Sequence, residues 1–217
     1  MANRCLLYYI TDRSQFTGEE HARRRAVLDK VAEAARAGVD YIQLREKNLS
    51  GRELEILGRK VAEIMRQNSP SSRLLINSRV DIALAAGADG VHLRADDVSP
   101  REVAEMLTAS AQSRHASHFI IASSCHSIED LTRAESAAVD FAVFAPVFGK
   151  TGCRQVVPTG LATLRAACQA KVPVLALGGI TMTNAPLCLD AGAAGVAGIR
   201  LFQDNKIEDV VRALRNA

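Results

Sequence analysis

The sequence predicts a single-domain α/β protein of the (β/α)8 TIM-barrel class. Short β-branched or apolar runs alternate with longer segments of helical period, which is what a parallel sheet with crossover helices requires. An internal repeat gives the same answer: Ala37–Arg45 recurs as Ala86–Arg94, with fainter copies from Ala138 to Ala145 and from Ala191 to Arg200. The copies lie about fifty residues apart, which matches two βα units per period and four such pairs around a closed barrel.

The alternation predicts eight strands, each followed by a helical segment. In chain order we expect strands at residues 5–10, 39–45, 73–77, 90–93, 119–124, 140–145, 173–177 and 195–200. The third helix lies within Val80 to Ala86, and the last runs from Ile207 to Asn216. An open doubly wound sheet is the alternative, but no Gly-x-Gly-x-x-Gly turn follows the first strand.

Several helix boundaries are marked by local signals. Ser50 and Glu53 have the Ser-x-x-Glu spacing of a capping box, and so do Ser99 and Glu102, with Pro100 at the first helical position. The glycine that three copies of the repeat share, Gly38, Gly87 and Gly192, stands where a helix ends before the next strand. These signals divide the chain into βα units without reference to hydrophobicity.

Composition excludes several classes of protein. The chain has 217 residues, 48% of them hydrophobic, which suffices for one buried core. A net charge of only +3 gives no reason to expect binding to nucleic acid or to a membrane surface. No apolar run approaches a membrane span and no signal-peptide pattern precedes the first strand, so we expect a cytoplasmic protein. Five cysteines without a Cys-x-x-Cys pair argue against a disulfide framework or a zinc site.

The end of the second strand carries a cluster of polar side chains. In a barrel of this kind the reactive groups lie where the strands end, because the loops converge there over a packed core. By alternation Gln43 and Arg45 point inward, and Lys47 follows just beyond. Two cations on one rim make an anion clamp, although pairing with neighbouring carboxylates such as Glu46 is the alternative.

A carboxylate after the fourth strand is a candidate metal ligand. Strand three ends in Asn77 and Ser78, and Asp97 follows strand four. Asp97 can hold a Mg²⁺ ion that bridges a diphosphate, because this hard cation prefers carboxylate and phosphate oxygens. The alternative is that Asp97 merely precedes the helix beginning near Ser99 and interacts with the dipole of that helix.

A serine and a histidine lie at the end of the fifth strand. Ser124 and His126 alternate along the strand and can project together, whereas Cys125 points elsewhere. Ser124 is therefore a candidate substrate-binding residue and His126 a candidate general base. A purely structural histidine is the alternative.

The ends of the last two strands give the clearest local signal. Gly178 and Gly179 follow strand seven, and Ile199 and Arg200 end strand eight. Backbone amides at a Gly-Gly turn can approach a phosphate closely, and the loops after strands seven and eight are the recurrent phosphate site of this fold. A tight turn without a ligand is the alternative.

Seven short motifs stand in order along almost the whole chain. They are Tyr9-Ile10-Thr11-Asp12, Gln43-Leu44-Arg45-Glu46-Lys47, Ile76-Asn77 with Arg79-Val80-Asp81-Ile82-Ala83-Leu84, Gly87-Ala88-Asp89-Gly90-Val91-His92-Leu93, Ser124-Cys125-His126-Ser127, Phe144-Ala145-Pro146-Val147-Phe148 and Gly178-Gly179-Ile180. In this order they resemble the thiamine-phosphate synthase/TenI family of thiamine biosynthesis. Each motif is weak alone, and the ordered set carries the resemblance.

The resemblance implies small phosphorylated substrates bound by two groups of residues. The group for a pyrimidine diphosphate comprises Gln43, Arg45, Lys47 and Asn77. The group for thiazole phosphate comprises Gly178, Gly179 and the Ile199-Arg200 turn. In the synthase branch the diphosphate leaves with the help of Mg²⁺, whereas in the TenI branch the residue corresponding to His126 transfers the proton that aromatises a thiazole tautomer. The resemblance is also compatible with a homodimer.

Four departures from the family pattern bear on the choice between the branches. Ser78 stands where synthases carry a metal-binding Asp, and Arg94-Ala95 replaces the usual Gly-Gln. The loop 149–154 lacks the synthase pattern, although Lys150 or Arg154 can supply a cation, and Arg200 replaces a small Ser. Because His126 is kept while these residues are not, a TenI-like thiazole tautomerase is the first hypothesis.

Three other functions stay open. A thiamine-phosphate synthase that uses Mg²⁺ is the alternative, and a non-catalytic regulator that binds a phosphate ligand is a further one. An unrelated sugar-phosphate enzyme shares the fold, but the Gln43–Lys47 motif weighs against it.

Overall fold

Eight parallel strands form a closed barrel in which each strand pairs with its neighbours in sequence and the last pairs with the first. The structure, a computed structural model, describes residues 4–109, 118–137, 139–149 and 157–216. The strands are β1 Leu6–Ile10, β2 Tyr41–Leu44, β3 Arg73–Asn77, β4 Gly90–Leu93, β5 Ile120–Cys125, β6 Phe141–Phe144, β7 Val174–Ala176 and β8 Gly195–Gly198. This closure confirms the predicted barrel and excludes the doubly wound sheet.

Helices connect the strands on the outside of the barrel. They are α1 Glu20–Ala37, α2 Gly51–Asn68, α3 Val80–Ala86, α4 Pro100–Ala109, α5 Ile128–Ser136, α6 Gly160–Ala167, α7 Ala185–Asp190, α8 Arg200–Gln203 and α9 Ile207–Arg215. The predicted capping box of Ser50 and Glu53 begins α2, and Ser99 and Glu102 exchange the same pair of bonds before α4. None of the described helices is both long and apolar enough to span a bilayer.

The predicted strand boundaries differ most, by two residues, at the end of the last strand and at the start of the second. Strand β8 ends at Gly198, not at residue 200, and Arg200 is the first residue of α8. The reason is local, because Ile199 has φ −96° and ψ −72°, outside the extended region. Strand β2 begins at Tyr41 rather than at residue 39, since Val39 still belongs to the turn that ends α1 and donates its amide to Ala34 at 3.0 Å.

Aromatic side chains fill the interior of the barrel. Tyr8, Tyr41 and Phe141 contact one another inside it: Tyr8 meets the other two rings edge to face, and the Tyr41 and Phe141 ring centroids are 4.6 Å apart. In the repeat, Gly90 and Gly195 occupy the positions of Tyr41 and Phe141. A Cβ on either glycine would lie within 2.2 Å of a backbone carbonyl oxygen of the neighbouring strand. The interior therefore alternates large and minimal residues in one layer, as a narrow barrel requires.

Three aspartates from the repeat lie at the bottom of the barrel, at the amino ends of the strands. Each stands just before an even-numbered strand and accepts the backbone N–H of a residue in the preceding strand. The pairs are Asp40 with Leu7 at 2.9 Å, Asp89 with Leu74 at 2.8 Å and Asp140 with Ile121 at 2.8 Å. The fourth copy has Ala194 at this position and lacks the bond. These carboxylates therefore stabilise strand pairing at the end away from the predicted site.

The two ends of the described chain meet at one of these aspartates. Arg4 donates to Asp40 Oδ1 at 2.7 Å, and Arg215 donates to Asp40 Oδ2 at 3.1 Å. Asp40 is largely buried beneath the two guanidinium groups, which offset its charge.

Candidate functional site

The predicted site residues that the structure describes all lie at the carboxyl ends of the strands, which we call the mouth of the barrel. They are Gln43, Arg45 and Lys47 after or within β2, Asn77 on β3, Asp97 after β4, Ser124 and His126 on and after β5, Gly178 and Gly179 after β7, and Ile199 and Arg200 after β8. The expected cations Lys150 and Arg154 lie outside the described residues.

A buried hydrogen-bond chain forms the floor of the mouth. The Gln43 amide nitrogen donates to Tyr8 Oη at 2.8 Å, and Tyr8 Oη lies 3.1 Å from His92 Nδ1. His92 Nε2 lies 2.8 Å from Ser124 Oγ. Gln43, Tyr8 and His92 are buried, whereas Ser124 is partly exposed. The chain thus links two predicted site residues, Gln43 and Ser124, across four strands through Tyr8 and His92.

The imidazole of His92 is neutral. Burial first, and then the charge of Arg45, lower the pKa of His92 to about 3. A buried imidazolium has no carboxylate partner among its hydrogen bonds here, since both ring nitrogens contact hydroxyl groups. The ring therefore carries one proton, on one of its two nitrogens, throughout the physiological range.

Arg45 brings positive charge close to this floor. Its side chain is half-buried, and burial lowers the pKa of its guanidinium, although Asp12 and Glu46 oppose that effect. No carboxylate of the described residues lies within salt-bridge distance of Arg45. Glu46 instead accepts hydrogen bonds from Thr11 Oγ1 at 2.7 Å and from Arg13 Nη1 at 3.1 Å. The expected alternative of an Arg45–Glu46 pair is therefore wrong, and the Arg45 charge is available to an anion.

The residues expected to hold Mg²⁺ do not form a two-carboxylate site. Asp97 accepts the backbone N–H of Arg94 at 2.7 Å, and the Arg94 guanidinium lies 3.7 Å from its other oxygen. On the neighbouring strand end, Ser78 Oγ accepts from Asn77 Nδ2 at 2.9 Å. No cluster of three or more His, Cys, Asp or Glu side chains occurs among residues whose positions are described. A cation at Asp97 would compete with Arg94, so the arrangement fits a resident divalent metal poorly.

His126 lies just beyond β5 and is held from two sides. Its backbone N–H donates to Asp130 Oδ2 at 2.7 Å, a carboxylate that also closes the capping box with Ser127 at the start of α5. Its ring Nδ1 lies 2.7 Å from the carbonyl oxygen of Ala145. Because a carbonyl oxygen only accepts, Nδ1 carries a proton and Nε2 points away from this bond. His126 and Ser124 bond to different elements rather than to each other.

The Gly178-Gly179 turn packs directly on the loop that follows β6. Both residues have positive φ, +101° and +62°, and a Cβ on Gly178 would lie 2.7 Å from Pro146. Pro146 follows Ala145, the residue that accepts from His126, so the turn and His126 share one loop. Neither amide N–H of the two glycines donates to another of the described residues. The turn thus combines the required glycine conformation with two available donors.

The turn after β8 completes the mouth. Ile199 packs against the apolar cluster inside the barrel, whereas Arg200 is exposed at the start of α8. Asn184 supports the neighbouring turn after β7 by donating to the Gly179 carbonyl at 3.0 Å. Lys47 is exposed in the loop after β2. Lys47 and Arg200 therefore add positive charge after two strands that both neighbour β1.

Sequence reasoning missed two residues of the floor, Tyr8 and His92. The repeat contains the signal for one of them, because His92 occupies in its second copy the position that Gln43 occupies in its first. Both residues face the barrel interior, and each is the second-last residue of its strand. Tyr8 lies outside the repeat copies. The one sequence signal for it is the alternation along β1, which turns its side chain towards the barrel interior.

Comparison with known proteins shows which family the chain belongs to. The family model described as thiamine monophosphate synthase matches residues 7–202, which is most of the chain. The chain belongs to the thiamine monophosphate synthase family. The matched segment includes every predicted site residue, from the β2 cluster to the turn after β8.

Curated relatives in this family are similar over nearly their whole length. The chain is 42% identical over 213 residues to a putative thiamine-phosphate synthase of Geobacter sulfurreducens, covering 96% of this chain and 92% of that protein. It is 38% identical over 197 residues to a putative thiamine-phosphate synthase 2 of Aquifex aeolicus, covering 90% and 96%.

A solved structure shares both fold and sequence. Thiamine phosphate pyrophosphorylase from Pyrococcus furiosus has a TM-score of 0.77 and 30% identity, covering 99% of this chain and 95% of that one. A 3-hexulose-6-phosphate synthase, at 19% identity and a TM-score of 0.64, shares the fold alone. The family relatives thus identify this chain as a member of an enzyme family of thiamine biosynthesis.

Proposed function

We propose that this protein is a thiamine-phosphate synthase, which joins hydroxymethylpyrimidine diphosphate to thiazole phosphate. The observation that carries the proposal is the similarity to synthases along almost the whole chain, at 33% to 42% identity in the full-length comparisons. The cation-lined mouth supports it, because both substrates are anions. The names of the relatives support this function better than the tautomerase that the sequence alone favoured.

The reaction requires charge stabilisation more than proton transfer. The bond between the pyrimidine methylene and the diphosphate oxygen breaks, and its electron pair leaves with diphosphate. The thiazole nitrogen lone pair then forms the new bond to that methylene carbon. Arg45 would stabilise the departing diphosphate, because its half-buried charge has no carboxylate partner among the described residues.

The remaining residues would bind and orient the substrates. The backbone N–H groups of Gly178 and Gly179 would donate to the phosphate oxygens of thiazole phosphate, with Ile199 and Arg200 on the neighbouring turn. Gln43, Asn77 and Ser124 would contact the pyrimidine from the floor, and Lys47 would add charge near the diphosphate. The buried aromatic layer beneath excludes water from below.

A direct assay tests this function. Purified protein is incubated with both substrates, with and without Mg²⁺, and thiamine phosphate is measured by mass spectrometry. We expect product, and we expect Arg45→Ala to lower kcat/KM about 100-fold through loss of a charge-assisted contact in the transition state. Arg59→Ala is the matched control, since Arg59 is exposed on α2 and pairs only with Glu55 among described residues.

A thiazole tautomerase is the second candidate, and the position of His126 favours it. With Nδ1 donating to Ala145, a neutral His126 would offer the Nε2 lone pair as a general base at the mouth. Conversion of the thiazole carboxylate tautomer by the wild type but not by His126→Ala, without thiamine phosphate in either Mg²⁺ arm, would establish this function instead. Thermal stabilisation by thiazole phosphate with no turnover of either kind would identify a non-catalytic regulator.

A further inference from the structure

The floor of the mouth is a continuous chain of hydrogen bonds with one end open to the substrate side. It runs from Gln43 through Tyr8 and His92 to Ser124, with donor–acceptor distances between 2.8 and 3.1 Å. No described residue other than His92 bonds to Ser124 Oγ. The direction in which the partly exposed Ser124 hydroxyl points its proton is therefore set by the direction of the buried hydrogen bonds.

The direction of the first bond determines the direction of all the others. The Gln43 amide nitrogen can only donate, so Tyr8 Oη accepts from it and passes its own proton towards His92 Nδ1. A neutral imidazole that accepts at Nδ1 carries its proton on Nε2, and it then donates to Ser124 Oγ. Ser124 is left with its hydroxyl proton directed away from the chain.

The opposite direction is chemically complete as well. If the amide of Gln43 were turned by half a rotation, its oxygen would accept from Tyr8, and every later bond would reverse. Ser124 would then donate to His92 and present only lone pairs to the mouth. The chain therefore has two settings, and they differ in whether the open end is a donor or an acceptor.

We propose that Tyr8 and His92 are positioning residues that set Ser124 as a hydrogen-bond donor to an acceptor atom of the substrate. The proposal rests on the proposed function only in taking the mouth as the substrate site. Neutral His92 is necessary for it, because an imidazolium would donate at both nitrogens and leave Tyr8 without an acceptor. The burial of the ring and the nearby Arg45 both disfavour that charged form.

The tautomer of His92 decides the direction of the chain. Long-range proton–nitrogen correlation spectra of the ¹⁵N-labelled protein distinguish the two neutral tautomers and the imidazolium, and the signals missing from His92→Gln assign the residue. At about pH 7 we expect the Nε2–H form. The Nδ1–H form or the imidazolium would overturn the proposal. This readout needs no substrate and is independent of whether the enzyme is a synthase.

Control variants separate the effect of the hydrogen-bond chain from that of the surrounding packing. Tyr8→Phe removes the hydroxyl that accepts from Gln43, so we expect a mixture of both tautomers at His92. Tyr41→Phe deletes a hydroxyl from the same aromatic cluster that takes no part in these hydrogen bonds, so we expect the wild-type spectrum. A fixed Nε2–H form in Tyr8→Phe would show that Tyr8 does not set the tautomer.

A double-mutant cycle tests whether Tyr8 acts through Ser124. Binding of thiazole phosphate and of hydroxymethylpyrimidine diphosphate is measured separately by calorimetry for Tyr8→Phe, Ser124→Ala and the pair. For the substrate that Ser124 contacts, we expect Ser124→Ala to weaken binding about 10-fold. Tyr8→Phe leaves about half of the molecules with Ser124 as a donor, so we expect it to weaken binding about 2-fold. The pair should bind no worse than Ser124→Ala. Losses that multiply in the pair would contradict the proposal. Failure of the wild type to bind either compound would refute the proposed function, while the tautomer would still decide the direction of the chain.

Discussion

At the scale of single residues, the unusual group is a histidine kept neutral by burial. His92 lies inside the barrel between two hydroxyl groups, and burial together with Arg45 lowers its pKa from 6.5 to about 3. The unfolded chain, in contrast, exposes this imidazole to water. Protonation of His92 therefore favours the unfolded state between pH 6.5 and about 3, and the free energy of unfolding depends on the charge of this ring.

We predict that acid destabilises the protein through His92. Between pH 6.5 and about 3 the unfolded chain binds a proton at this residue that the folded chain does not. The contribution of His92 to unfolding free energy is therefore constant above pH 6.5 and falls by about 1.4 kcal/mol per pH unit below it. Urea unfolding at several pH values should show a shallower dependence for His92→Gln. Equal slopes for the two proteins would contradict the prediction.

At the scale of secondary structure elements, the aspartates of the repeat join the helix ends to the strands. Each follows a helix and a short turn, and each binds a backbone amide in the preceding strand. An amide left without an acceptor in this partly buried position is costly. The same aspartates lie at the end of the barrel opposite to the mouth, where residues contribute to stability rather than to chemistry.

Removal of one carboxylate should destabilise the barrel without affecting the site. We predict that Asp89→Ala lowers the unfolding free energy by about 1–3 kcal/mol, because the Leu74 amide loses its acceptor. Asp89→Asn keeps a side-chain oxygen that can accept this bond, so its loss should be clearly smaller. Denaturant unfolding measures both effects. An equal loss in the two variants would show that charge, and not the hydrogen bond to Leu74, is what matters.

Local elements were predictable where the determining residues are neighbours in sequence. The capping boxes at Ser50 and Ser99 are confirmed because a side chain and an amide three residues apart decide them. The predicted end of β8 was wrong. The backbone at Ile199 leaves the extended region, and no short sequence pattern predicts this. The contacts of Tyr8 and His92 join β1, β4 and β5, and such long-range pairs are not visible in one sequence.

At the scale of the whole molecule, the barrel is an approximate fourfold repeat with one incomplete copy. Asp40, Asp89 and Asp140 stand at equivalent positions, and Ala194 takes the fourth. The register is preserved, because Leu175 pairs with Gly195 as Leu75 pairs with Gly90. The fourfold pattern predicted the number of strands correctly and also shows where one stabilising group is absent.

Completion of the fourth copy should stabilise the fold. We predict that Ala194→Asp raises the unfolding free energy by about 1 kcal/mol, since its carboxylate would reach the Val174 amide at the equivalent register position. Ala194→Ser has a side chain too short for this bond and serves as the control. Thermal and urea unfolding should both show the difference. No gain, or an equal gain from serine, would indicate that the fourth position differs in geometry from the other three.

The meeting of Arg4 and Arg215 at Asp40 has a consequence for how this polypeptide tolerates rearrangement. Since β1 and β8 are also partners in the sheet, the order of units around the barrel is circular, and the linear chain is a ring opened at one point. That opening lies at the end of the barrel opposite to the mouth. A short bridge across it, with the break moved to another connection on the same face, would alter the order of synthesis but not the neighbours of any strand.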